Sequence, residues 1–155
     1  MKKILIFIDH FLPGYKAGGI AQSIINLSEY IKTDFDLNII TSNTDFGELK
    51  SYPDVRINEW TNHLNGVNIY YIPKRKLTIF KIRNILNDVK PDFVYLHSMY
   101  SLKFAILPLL VCRTTNKNLK LILAPNGMLN SGALKFKKTK KTDFSENFSA
   151  VWCAP

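Results

Sequence analysis

The 155-residue sequence is poor in cysteine, in acidic residues and in long apolar runs, and each shortage removes a class of protein. Its two cysteines, Cys112 and Cys153, stand at no metal-ligand spacing and cannot make a disulfide framework. Cys112 lies within "FAILPLLVC", where a small buried thiol is the expected role, and a reducing compartment fits that usage. The opening "MKKILIFIDH" has a basic tip, but its apolar run stops at Asp9, shorter than a secretory signal requires. The other long run, Phe104 to Cys112, falls short of the roughly 20 residues that cross a bilayer. The expected location is the cytoplasm, with a peripheral position at the inner face of the plasma membrane as the second option. The three histidines share no ligand spacing, so no metal is expected. Neither G-x-G-x-x-G nor G-x-x-x-x-G-K-[ST] occurs, which leaves a dinucleotide fingerprint and a P-loop unsupported.

Basic charge is what the chain has in excess. Lys and Arg number 21 against 12 Asp and Glu, a net charge of +9, which suits acidic partners such as nucleotides, sugar phosphates or anionic membranes. Nucleic acid is not expected, because no module signature or aromatic platform accompanies the charge. Hydrophobic residues make up 46%, enough for one domain with a real core.

Apolar patterning alternates along the chain. "KKILIFID" is a continuous apolar run, the mark of a strand covered on both faces. Ile20, Ile24, Leu27 and Ile31 then recur at helical spacing. "FDLNIITS" and "GVNIYYIP" read as strands separated by a polar region containing Pro53 and Trp60. "LTIFKIRNILNDV" has helical period, and "PDFVYLHS" is a strand opened by a proline that cannot continue that helix. "SLKFAILPLLVCR" reads as a buried helix kinked at Pro108, and "NLKLILAP" as a fifth strand. Such alternation implies right-handed βαβ units and a doubly wound, mostly parallel α/β sheet with helices on both faces.

Ligands of open α/β sheets collect at the carboxyl ends of the strands, and three unusual segments fall there. The first is "DHFLPGYKAGGI", in which Gly18 and Gly19 lead into a helix. The pair is either a tight turn or a loop whose N–H groups approach a diphosphate at the helix's positive end. The second is "HSMYS", where His97 ends a strand, its position placing the side chain exposed at the rim. It is either a site residue or a capping hydrogen bond; His10, also at a strand end, has the same two options. The third is "PNGMLNSGAL", a shaped loop in which Ser131 can cap a helix. Beyond it Lys135, Lys137, Lys138, Lys140 and Lys141 form either a solvated helix face or a contact for anionic lipid or a phosphorylated acceptor.

Together, "KILIFIDHFLPGYKAGGIAQSIINLSEYI", "KPDFVYLHSMYSL" and "LILAPNGMLNSGALKFKKTKK" resemble the amino-terminal domain of family 4, GT-B fold glycosyltransferases. The third segment is similar to that family's "P-R-G-M-L-S-P-G-A-L-x-x-K". The resemblance covers about residues 2 to 141 and implies a Rossmann-like half of a two-domain enzyme. Such an enzyme moves a sugar, with retention, from a nucleotide-diphosphate sugar to a glycan or lipid-linked acceptor. It implies that Gly18 and Gly19 face the donor diphosphate, that His97 lies near the transferring sugar as the catalytic residue, and that His10, Asn126, Gly127 and Met128 belong to the acceptor side. No cofactor is implied, since the nucleotide-sugar is a substrate and backbone N–H groups stabilise the leaving group. Asn126 departs from the pattern, standing where Arg or His is common.

Residues 142–155, "TDFSENFSAVWCAP", show no helical or strand period, so the domain is expected to occupy 1–141 and to be incomplete at its carboxyl end. A truncated or frameshifted product, inactive alone for want of a nucleotide-binding half, is the expectation. The competing expectation is a non-catalytic basic α/β module that binds a membrane surface or a partner protein.

Overall fold

The uninterrupted apolar run near the start becomes the central strand of the sheet. The computed structural model describes residues 1–16, 18–63, 66–116, 118–127 and 129. Its elements are β1 (Lys2–Phe7), α1 (Gly19–Ile31), β2 (Phe35–Ser42), β3 (Trp60–His63), β4 (Val67–Ile72), α2 (Ile79–Val89), β5 (Phe93–His97), α3 (Leu107–Thr115) and β6 (Lys120–Ala124). Among the described residues they form one sheet in the order β3-β4-β2-β1-β5-β6. All neighbours are parallel except β3, which runs antiparallel to β4. A strand with neighbours on both sides and helices on both faces has no polar surface to face, which is why Leu5, Ile6 and Phe7 can all be buried.

The doubly wound, Rossmann-like α/β sheet is as the alternation predicts. Strand β3 was hidden because "WTNH" has no apolar alternation; it holds on through its ladder to β4 and through Trp60, whose ring meets Tyr70 edge-on at 5.1 Å. Helix α1 buries Ala21 and Ile24 in one cluster with Ile6, Ile39 and Ile69. Helix α2 is capped by Thr78, whose side chain accepts from the Lys81 N–H, and buries Ile82, Ile85, Leu86 and Val89. It stops at Lys90, in left-handed conformation (φ 50), directly before Pro91.

The segment expected as one helix kinked at Pro108 is two pieces. A π-helical turn, Leu102–Ile106, precedes α3, and Pro108 sits in the first turn of α3. Proline has no N–H to offer the carbonyl four residues back, so the ladder shifts one residue wider ahead of it. The Ile106 N–H donates to the Ser101 carbonyl at 2.9 Å, and the Leu107 N–H to that of Leu102.

From β1 the chain builds outward through α1 to β2 and β4, then returns through α2 to β5 on the other side of β1. Right-handed crossovers therefore put α1 on one face and α2 and α3 on the other. The order reverses between β1 and β5, so the topological switch point is there. The chain divides into two units after Ala124, and all these elements belong to the first.

Candidate functional site

At the switch point the carboxyl ends of β1 and β5 lead into loops that are tied together. The Ser101 hydroxyl donates to Asp9 Oδ1 at 2.9 Å while its oxygen accepts from the Phe104 N–H at 3.1 Å. One serine thus caps the π-helical turn and fixes the carboxylate after β1. From the end of β4, Lys74 opens a short 3-10 turn (Lys74–Lys76) and reaches the same place. Its ammonium lies 3.1 Å from His10 Nε2 and 4.0 Å from Asp9 Oδ1.

The hydrogen-bond partners decide the His10 tautomer. Its Nδ1 lies 2.9 Å from the Thr44 carbonyl oxygen, which can only accept, so Nδ1 carries the proton. Nε2 is then left with a lone pair and accepts from Lys74. His10 is buried, with the Phe46 ring edge-on at 5.7 Å, so a ligand arriving here meets Lys74 before the imidazole.

His97 corrects the expectation of an exposed rim residue: it is 2% exposed. Strand β5 continues in register with β6 as far as the His97–Ala124 pair, and Tyr95, two residues earlier on the same face, covers the ring at 4.4 Å. Burial pushes the His97 pKa down to about 4. The imidazole is neutral near pH 7 and can exchange hydrogen bonds but brings no charge. Ser98, directly after it, adopts a left-handed conformation (φ 66) that turns the chain off the sheet.

The loop between β1 and α1 is held by a carboxylate from the next loop along. Buried Asp45 accepts from the Phe46 N–H at 2.7 Å through Oδ1, and through Oδ2 from the N–H groups of Tyr15 (3.3 Å) and Lys16 (3.5 Å). Lys16 also pairs with Glu48. Gly14 lies against this junction, where a Cβ would meet the Tyr52 hydroxyl at 2.1 Å and Asp45 Oδ1 at 2.8 Å. Burial, with Asp45 nearby, pushes the Tyr52 hydroxyl up to about 12.

So anchored, the loop delivers the glycine pair to the start of α1. Gly18 is the N-cap, at φ 61 and ψ −136, and no side chain caps the helix. The first turn holds no acidic residue, and a Cβ built on Gly18 or Gly19 meets nothing within 4 Å. The positive end of α1 is therefore open and unneutralised among the described residues.

Asn126 and Gly127 are exposed and consecutively left-handed, at φ 48 and 75, in keeping with a shaped loop. Met128, Ser131 and the lysines Lys135, Lys137, Lys138, Lys140 and Lys141 lie outside the described residues. The described residues include no group of three or more His, Cys, Asp or Glu side chains placed to hold a metal ion.

Sequence reasoning passed over Asp9, Asp45, Lys74 and Ser101. A signal for Lys74 was available: "YIPKRK" sets a cation run at the carboxyl end of a strand already expected to be parallel, hence on the rim. A family model described as glycosyl transferase 4-like matches residues 20–149, beginning directly after the glycine pair and including His97 and Asn126. Comparison with curated proteins gives no match.

Proposed function

The chain belongs to the glycosyl transferase 4-like family, and from that membership we propose that it forms the acceptor side of a retaining glycosyltransferase. The donor is a nucleotide-diphosphate sugar, whose nucleotide is held by a second domain facing the strand ends. The observation that carries this reading is the open, uncapped start of α1 at Gly18 and Gly19, on the loop that follows the central strand.

In the reaction, the bond between the anomeric carbon and the diphosphate oxygen breaks. An acceptor hydroxyl forms the new bond on the same face of the sugar, and its proton passes to the departing diphosphate. The Gly18 N–H is engaged by the Tyr15 carbonyl at 3.2 Å, so Gly18 shapes the entry. The amides of Gly19 and the rest of the first turn of α1 are those offered to the charge that grows on that leaving group. Backbone dipoles fixed before the reaction stabilise it without reorganisation. His97, neutral and buried under Tyr95, stands behind the sugar site and meets a hydroxyl of the transferring sugar only where that cover moves aside. His10 acts through Lys74 on the acceptor side.

Titration of the 15N-labelled chain with a nucleoside diphosphate tests the reading. The amide resonances of Gly18, Gly19 and Ile20 are expected to move, while the 155-residue chain alone transfers no sugar. Silence at those amides removes the diphosphate role and favours a non-catalytic basic module; transfer by the chain alone defeats the half-site reading.

A further inference from the structure

Beside the switch point, the carboxyl ends of β2 and β4 wall an open cleft of about 680 Å³. One wall is the loop from Ser42 to Ser51, the other Pro73, Lys74 and Arg75. Asp45, Glu48, Lys74 and Arg75 all line it, so its character depends on which charges are already engaged. Asp45 is buried under three backbone N–H groups, and Glu48 is paired with Lys16. Both carboxylates are accounted for.

The cations are not. Arg75 is exposed and makes no hydrogen bond or ion pair with a described residue. The Lys74 ammonium has three N–H groups. One goes to His10 Nε2, and Asp9 draws another from 4.0 Å, which leaves a donor for the cleft. His10 fixes that arrangement, because its Nδ1–H bond to Thr44 keeps Nε2 an acceptor and holds the ammonium at the cleft wall.

We propose that this cleft binds an anionic group of the acceptor, a phosphate or a sugar carboxylate, between Lys74 and Arg75. The proposal rests on the acceptor-side reading above and names the class of acceptor: a sugar carrying negative charge. A guanidinium fork beside an ammonium suits a group with several oxygens, and charge-assisted bonds are the strong ones. None of the residues lining the cleft belongs to the start of α1, so donor diphosphate and acceptor anion are read at separate places.

The test is NMR titration of the 15N-labelled chain with a hexose 1-phosphate, a hexuronate, the neutral hexose and inorganic phosphate. Both anionic sugars, or one of them, are expected to move amides within 42–51 and 74–76, and the tighter one identifies the group. The neutral hexose leaves those amides unmoved. Affinity is expected to fall about tenfold in Lys74→Gln and about tenfold in Arg75→Gln, and to weaken with added salt. Arg75→Gln removes no contact with a described residue, so its loss is not one of folding. Equal binding of the neutral hexose overturns the proposal. So does binding that persists in the double variant, or inorganic phosphate binding as tightly as the hexose phosphate. Nucleoside diphosphate shifts at Gly18 to Ile20 report the donor side separately. If they persist while the cleft is silent, only the acceptor proposal falls; if they vanish, the transferase reading falls and the acceptor assignment with it.

Discussion

Burial holds the His97 imidazole at a pKa of about 4, against 6.5 for a solvated histidine. Between those values the unfolded chain binds a proton that the native chain excludes. The stability that goes with this is complete above the unfolded value, drains as pH falls through the window, and is gone below the folded value. The whole effect is on the order of 3 kcal/mol at most, from about 1.4 kcal/mol per unit. His97→Gln cannot titrate, so its urea midpoint is expected to lose less than that of the parent chain between about pH 7 and about pH 4.5. Identical losses in the two proteins would show that the burial of His97 carries no linkage. The sequence placed this residue at its strand end correctly and misjudged its exposure. Register with β6 and the covering Tyr95 decide exposure, and neither pairing is visible in "FVYLH".

Among the elements, the start of α1 separates two glycines that look alike in sequence. Gly18 has φ 61 and ψ −136, a combination closed to side chains, whereas Gly19 is the first helical residue with open space where a Cβ would go. Gly18→Ala is expected to cost about 1–3 kcal/mol. Gly19→Ala should stay within about 0.5 kcal/mol. Urea denaturation of the two variants checks this, and equal costs would sink the distinction. Elements with a strong period were legible: the apolar run of β1, the helical spacing of α1 and α2, and the strand opened by Pro91. Those set by hydrogen bonding rather than by period were not. The π-helical turn answers the missing N–H of Pro108, and β3 exists because β4 is there to pair with it.

At the scale of the whole molecule, the alternation of strands and helices was enough to expect the switch point, because crossover handedness leaves few topologies. It could not give the site's wiring. Asp9 meets Ser101 from 92 residues away, and His10 meets Lys74 from 64, pairings that only the finished fold brings within bonding distance. The antiparallel β3 matters beyond the site. Strand β4 reads "VNIYYI": uncharged, without proline or glycine, rich in β-branched and aromatic side chains, the composition of segments that stack into fibrils. Bared as an edge, it would template pairing with another copy of this chain. Instead β3 occupies that edge, and the outermost strand on that side, among the described residues, is the short polar "WTNH". Trp60→Gly, which strips the ring from Tyr70, is expected to raise thioflavin T fluorescence and light scattering on incubation. A variant that stays as clear as the parent would refute the shielding. Four residues of unremarkable sequence thus act as a guard against self-assembly, and their worth lies in the partners they turn away.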